Sequence, residues 1–418
     1  MLNPDQPKRT PLPSQARPAF THTLAALTVL VILIVAAVIA DQQAVLVENR
    51  SVHGVASLLL EQEYIGSVIQ QSAFRQPDLL PVYGSSELVV TNTPYRAFTF
   101  FSTYPTGFNV FEVAKGGDTN INMAQDLASL GPILRGKKVV ISFTPTAFTQ
   151  PAASQESYAG NFSLLHASGL IFSPYLSMDI KKRAAGRMAA YPATLVKSPL
   201  LQFAIDNLTQ NTWANDGLYY ALFPFGQLDN FLFKLKDHYA IWQIISSKRN
   251  LPMKRQAQTI NWQAAISSVR AAQKLRTNNN QFGVDNNAWM RNGWGGVVQF
   301  RPAGSQDQSY INRLNNSKEW DDFRIVLDIL KQMGAKPLIL SRPINGPMYT
   351  AGGISKEAQS VYYNKLKALV DSYHYPLVDF QQYTSDPYFS IDYPSHTSPV
   401  GWVLVDQVLD AFYHDQLH

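Results

Sequence analysis

From Thr21 to Ala40 the chain carries no Lys, Arg, Asp or Glu, and from Leu24 it is almost entirely Leu, Val, Ile and Ala. Twenty helical residues rise about 30 Å, the thickness of a bilayer's hydrocarbon core. A run of that length confines the rest of the chain to one side of a membrane. Lys8, Arg9 and Arg17 precede it, so the positive-inside rule assigns the N-terminus to the cytoplasm and everything after Asp41 to the outside. Val38-Ile39-Ala40 also reads as a cleavage site, but the apolar run exceeds the roughly 7–15 residues of a signal peptide. The reading is a Pro- and polar-rich disordered cytoplasmic tail over 1–20, an uncleaved single-pass anchor over 21–41, and an extracytoplasmic body over 42–418.

Composition narrows the chemistry of that body. With no cysteine among 418 residues, disulfides, thiolate nucleophiles and cysteine zinc sites are excluded. A net charge of +5 is too small to argue for nucleic acid, and no motif for it is present. His53, His166, His238 and His374 lack ligand-like spacing, so neither metal nor cofactor is expected.

Short apolar runs bounded by turn residues read as buried strands. They are Leu79–Gly84, Phe108–Val113, Lys138–Phe143, Lys336–Ser341 and Pro376–Asp379. Helical patterns separate them: about 42–77 with Val55, Leu58, Leu59 and Ile65 as apolar positions, then Asn120–Leu134, Asn316–Met333, Ser355–Ser372 and Val403–Tyr413. In the third of these, Asn316 and Glu319 have capping-box spacing and Gly334 supplies the stop. Alternation of this kind implies an α/β fold with a doubly wound parallel five-stranded sheet. A helical insertion interrupts it at about 160–276, broken at Ser173-Pro174, Ser198-Pro199 and Leu251-Pro252. From 161 to 276 it holds fourteen Lys and Arg against five Asp and Glu, with the aromatic run Tyr219–Phe225. Such a face suits a membrane surface or an anionic polymer; a solvated basic face over an aromatic core explains it equally.

Gly84-Ser85-Ser86 ends the first strand, at the rim where open α/β sheets bind ligands. A serine needs a base to become a nucleophile at neutral pH, and the base needs an orienting carboxylate. Asp392-Tyr393-Pro394-Ser395-His396 follows the fifth strand and offers both. Gly116-Gly117 ends the second strand. Asn345-Gly346, ending the fourth, suits either a turn or a substrate contact.

This order of blocks resembles that of SGNH (GDSL-type) hydrolases and acyltransferases. Within them the chain is similar to the DltD family of D-alanyl transfer proteins in teichoic acid modification. The residues that carry the resemblance run the length of the body: Gly84-Ser85-Ser86-Glu87-Leu88, Lys115-Gly116-Gly117, Thr144-Pro145-Thr146-Ala147-Phe148, Asn278–Gly283, Glu319–Phe323, Gly334–Leu338, Pro343–Gly346, Ser355-Lys356-Glu357 and His396–Asp406. The resemblance implies an SGNH-like, flavodoxin-like sheet and a serine acyltransferase or esterase. Ser86 is then the nucleophile with Ser85 the alternative, His396 the base and Asp392 its partner. The backbone N–H groups of Ser86 and of Gly116 or Gly117 become oxyanion donors; Thr146 and, with a turn as the equal alternative, Asn345 are candidate substrate contacts. It further implies a membrane-bound O-acyltransferase with its acyl donor, and an anionic or hydroxyl-bearing envelope polymer, as partners. Exopolysaccharide O-acetylation by the same chemistry, and a non-catalytic accessory role, are the alternatives.

The chain departs from the family pattern in three places. Three residues rather than two separate Asp392 from His396, which leaves Asp386 a second choice of carboxylate. Thr144-Pro145-Thr146 stands where related SGNH enzymes carry an oxyanion-binding Asn. Ala147 replaces the family's usual Trp.

Overall fold

The computed structural model describes residues 17–56, 66–89, 93–246, 256–292, 299–392 and 396–417. Most of the expected tail, together with Leu58, Leu59, Ile65 and the Leu251-Pro252 break, lies outside them. Within them, β1 (Leu79–Gly84), β2 (Asn109–Ala114), β3 (Lys138–Phe143), β4 (Lys336–Ser341) and β5 (Leu377–Val378) form one sheet. All pairings are parallel, in the order β2-β1-β3-β4-β5. This is the doubly wound fold that the strand–helix alternation implies. Every residue of β1 and β2 is buried, which is why these strands read as unbroken apolar runs rather than alternating ones. β5 is shorter than expected, because only Leu377 and Val378 pair with β4 and both stay half-exposed at the sheet edge.

Successive side chains of each strand serve opposite faces. Tyr83, Phe111, Val139 and Ile141 join one core with the helices Asn120–Leu130, Glu319–Met333 and Lys356–Asp371. Leu80, Val82, Val110 and Val140 join the other, with Ala97–Thr103, Trp262–Arg276 and Pro399–Tyr413. The helical insertion between β3 and β4 includes Leu164–Ile171, Met178–Met188, Pro199–Gln210 and Trp213–Ser246, and it packs mainly on the first face.

The stretch read as helical over about 42–77 is, among the described residues, two helices, the first continuous with the anchor. One helix runs unbroken from Arg17 to Val55. Between Ala40 and Val52 there is neither Gly nor Pro to stop it. It is long and apolar enough to cross a membrane, and its far end buries Val52 and Val55 in the first core. A second helix, Ser67–Arg75, leads into β1.

A buried polar chain ties β1 to three helices. The Tyr83 hydroxyl donates to Gln70 Oε1 at 2.6 Å, Gln70 Nε2 donates to Asp126 Oδ1 at 2.9 Å, and His166 Nε2 lies 3.4 Å from that oxygen. Burial lifts the Asp126 carboxyl to about 8 and drops His166 to about 3. Asp126 therefore holds its proton in the folded protein at pH values where the unfolded chain has lost it. The unfolded state binds fewer protons between about pH 4 and pH 8, so this group's contribution to stability falls with rising pH across that window and levels off above it. Asp126→Asn, which is neutral throughout, is expected to flatten that part of the stability profile. Denaturant midpoints at pH 5, 6.5 and 8 check it; parallel profiles for the two proteins would count against a protonated Asp126.

Candidate active site

β1 delivers Ser86 to the C-terminal rim of the sheet, as the first residue of the short helix Ser86–Val89. The intervening turn is tight. A Cβ on Gly84 would press on the Glu87 carboxylate and come within 2.7 Å of Leu88 Cδ1, so only glycine fits. Glu87 closes the turn from within, its Oε1 accepting the Ser85 N–H at 3.0 Å. The Ser85 hydroxyl turns away and donates to the Lys115 carbonyl at 3.2 Å.

Ser86 Oγ faces His396 instead, 3.2 Å from its Nε2. His396 Nδ1 lies 2.6 Å from Asp392 Oδ2, and the other carboxylate oxygen of Asp392 accepts the His396 backbone N–H at 3.1 Å. Both oxygens thus engage one residue four positions on, despite the additional residue between them. With Nδ1–H given to Asp392, Nε2 is left as the acceptor for a serine O–H. An antiparallel bridge between Ser390 and Thr397 pins the loop that carries the histidine. Asp386 is committed elsewhere, to a two-point ion pair with Arg270 at 2.9 and 2.5 Å.

The loop after β2 is braced by the first helix of the insertion, Gln155–Asn161. Lys115 Nζ donates to the Gly160 carbonyl at 2.6 Å, and Asn161 Nδ2 to the Gly116 carbonyl at 3.5 Å. Gly117 has φ +77°, in the left-handed region that glycine enters freely. It lines a pocket of about 400 Å³ with Ser85, Ser86, Asn120, Thr146 and Glu319. Thr146 is held there by a 2.6 Å hydroxyl contact with Thr144.

Two expectations are corrected. Asn345, expected to touch substrate, is not in that pocket. It is buried, its Oδ1 accepts the Met348 N–H at 3.3 Å as a helix cap, and its Nδ2 donates to the Phe282 carbonyl at 3.0 Å. Both ends of the side chain are used structurally. Glu319 does not complete a capping box with Asn316, since the helix begins at Glu319 itself, after Lys318. Its carboxylate accepts from Asn120 N–H and Nδ2 at 3.1 and 2.9 Å, on the pocket wall, and burial raises it to about 7.

Sequence reading also passed over a charged layer beneath Ser86. Arg342, at the end of β4, is 1% exposed and stacks 4.8 Å over Trp402. The carboxylates that act on it electrostatically are Glu87, Asp406 and Glu112, all buried. Arg96 pairs with Glu112. Burial raises Glu87, against the Ser85 amide and Arg342, which favour its ionised form. The available signal was a single charge inside an apolar run: Glu112 in Phe-Glu-Val, Asp406 in Val-Leu-Val-Asp.

The fold and site define an α/β protein with a hydrogen-bonded Ser-His-Asp constellation at the C-terminal rim of a parallel sheet. A family model for the DltD protein matches residues 57–414. The chain belongs to the DltD family. It is 27% identical over 368 residues to protein DltD of Bacillus subtilis (strain 168), covering 88% of this chain and 90% of that one. To protein DltD of Staphylococcus aureus (strain NCTC 8325 / PS 47) it is 23% identical over 362 residues, covering 87% and 88%.

Proposed function

We propose that the chain is a membrane-anchored serine acyltransferase acting outside the cytoplasmic membrane in teichoic acid D-alanylation. Family membership supports the pathway. The observation that carries the chemistry is the continuous contact from Asp392 through His396 to Ser86 Oγ. Ser86 Oγ attacks the carbonyl carbon of an activated acyl ester as His396 Nε2 takes its proton. Negative charge collects on the former carbonyl oxygen, toward which the N–H groups of Ser86 and of Gly116 or Gly117 donate. The intermediate collapses, His396 returns the proton to the leaving group, and the acyl group stays on Ser86. A polymer hydroxyl then repeats the sequence in reverse, with His396 again the base. A membrane-bound O-acyltransferase of the same pathway supplies the donor, and the helix before Val55 holds the two together with the N-terminus inside.

The test is reaction of the full-length protein with a serine-directed fluorophosphonate. Labelling is expected for the wild type and for Ser85→Ala. Asp392→Asn, which keeps the contacts but leaves the imidazole in the wrong tautomer, is expected to slow it by about 10³–10⁴-fold. A wild-type protein that is folded but inert to the reagent would sink the nucleophile assignment.

A further inference from the structure

The helix Trp213–Ser246 carries large apolar residues on both its inner and its outer side. From Leu218 to Phe233 its only charged residue is Asp229. A helix of that kind belongs in a core or in a membrane. Its inner side is accounted for. Tyr219 is fully buried, donates to the Ile171 carbonyl at 2.7 Å and stacks on Phe172, and Gly226 lies against the same ring.

The outer side has no cover among the described residues. Leu218, Phe225, Leu228, Leu232, Tyr239 and Trp242 are each between 48% and 60% exposed. Their spacing of seven, three, four, seven and three residues sets them in one stripe along the helix. A contiguous apolar stripe on that scale marks an interaction surface.

The position of the helix says what meets it. Lys234 Nζ lies 2.6 Å from Asp41 Oδ1, and His238 bridges Asp41 at 2.9 Å and Glu48 at 2.6 Å. Asp41 is the first charged residue after the apolar run of the anchor, and Lys234 is the first cation after the apolar run of this helix. The two apolar runs therefore end against each other. We propose that the outer face of Trp213–Ser246 lies on the bilayer that the anchor spans, as a second membrane contact. Tyr239 and Trp242 suit the headgroup level, and Lys236 suits anionic lipid. A bilayer rather than a second copy of the chain is the occupant, because Lys234, between Leu232 and Tyr239 of the stripe in the chain, meets Asp41, where the exposed apolar run of the anchor ends.

The proposal rests on the anchor reading, and the test separates the two. The chain has no cysteine, so single-cysteine variants of the full-length protein can each carry one bimane in nanodiscs of phosphatidylcholine and phosphatidylglycerol. Leu228→Cys reports the stripe and Leu30→Cys the anchor. Leu275→Cys, 75% exposed on a helix across the sheet, reports solvent. Doxyl-labelled lipid is expected to quench the first two several-fold more than the third, and aqueous iodide the reverse. A Leu228→Cys label that behaves like Leu275→Cys overturns the proposal while leaving the anchor standing. Shielding from both reagents overturns it in favour of a protein cover. Loss of lipid quenching at Leu30→Cys overturns the anchor reading, and the proposal with it.

Discussion

Ser86→Ala is expected to abolish acyl transfer, with a loss on the order of 10⁴–10⁶ in rate, while Ser85→Ala keeps most of it. The two hydroxyls are adjacent in sequence, and their partners separate them. Ser86 Oγ faces the imidazole at 3.2 Å, whereas Ser85 Oγ donates to a backbone carbonyl. Ser86 is half-buried at the start of a helix and fills no core space, so alanine should leave the fold intact. The loss is then chemical, and a circular dichroism melt within about 1 kcal/mol of wild type would show it. The measurement is D-alanyl ester content of the envelope polymer in cells carrying each variant in place of the native copy. Full activity in Ser86→Ala would mean that the chain works as an accessory to another enzyme's chemistry.

Arg342→Met is expected to cost about 0.5–3 kcal/mol of stability, the usual range for a destabilising point substitution, because it withdraws a buried cation from the field of Glu87, Asp406 and Glu112, and to loosen the turn that holds Ser86. Methionine matches the arginine stem but supplies no charge to Glu87, Asp406 or Glu112. Of these, Glu112 keeps Arg96; Glu87 does not have such a second cation among the groups that lower it. Burial already raises Glu87, and without Arg342 its proton is held more tightly still. The unfolded chain ionises at the ordinary carboxylate range, so the deficit should grow as pH rises above that range. Combining Arg342→Met with Glu87→Gln removes the buried carboxyl that has lost its cation, and the double variant should lose less than the sum of the singles. Additive losses would place the cost elsewhere, in packing against Trp402.

Much of the fold was legible because parallel strands buried on both faces leave unbroken apolar runs ending in glycine, serine or proline. β3 and β4 begin and end where Lys138–Phe143 and Lys336–Ser341 suggest. The Gly334 stop is legible too, with φ +70°. The continuous helix to Val55 was not, because a helix passes from lipid to protein without any change in its local sequence requirement. Pairing in space also escaped detection. Glu319 has the spacing of a cap, yet its carboxylate is drawn to Asn120, 199 residues away, a contact that no local pattern encodes. Asn345 failed in the opposite sense. An asparagine before glycine at a strand end looks available, and the structure spends both of its polar groups on holding a loop. For the site, residue types and order pointed to Ser86 and His396, whereas the contact with Asp392 joins residues four apart where the family pattern has three.

The helix from Arg17 to Val55 has one further consequence. From Asp41 to Val55 it rises roughly 20 Å, and its end is built into the core, not joined to it by a tether. A domain carried on such a stalk cannot reel outward or swing back as one on a flexible linker does. Under the proposed function, in which that helix spans the bilayer and Ser86 is the nucleophile, the serine is held at a set height above the lipid, like a tool fixed in a stand. Under that same proposal, successive acceptor positions on a long polymer would have to be drawn past the site, and the spacing of modified units would follow movement of the polymer instead of the reach of the enzyme.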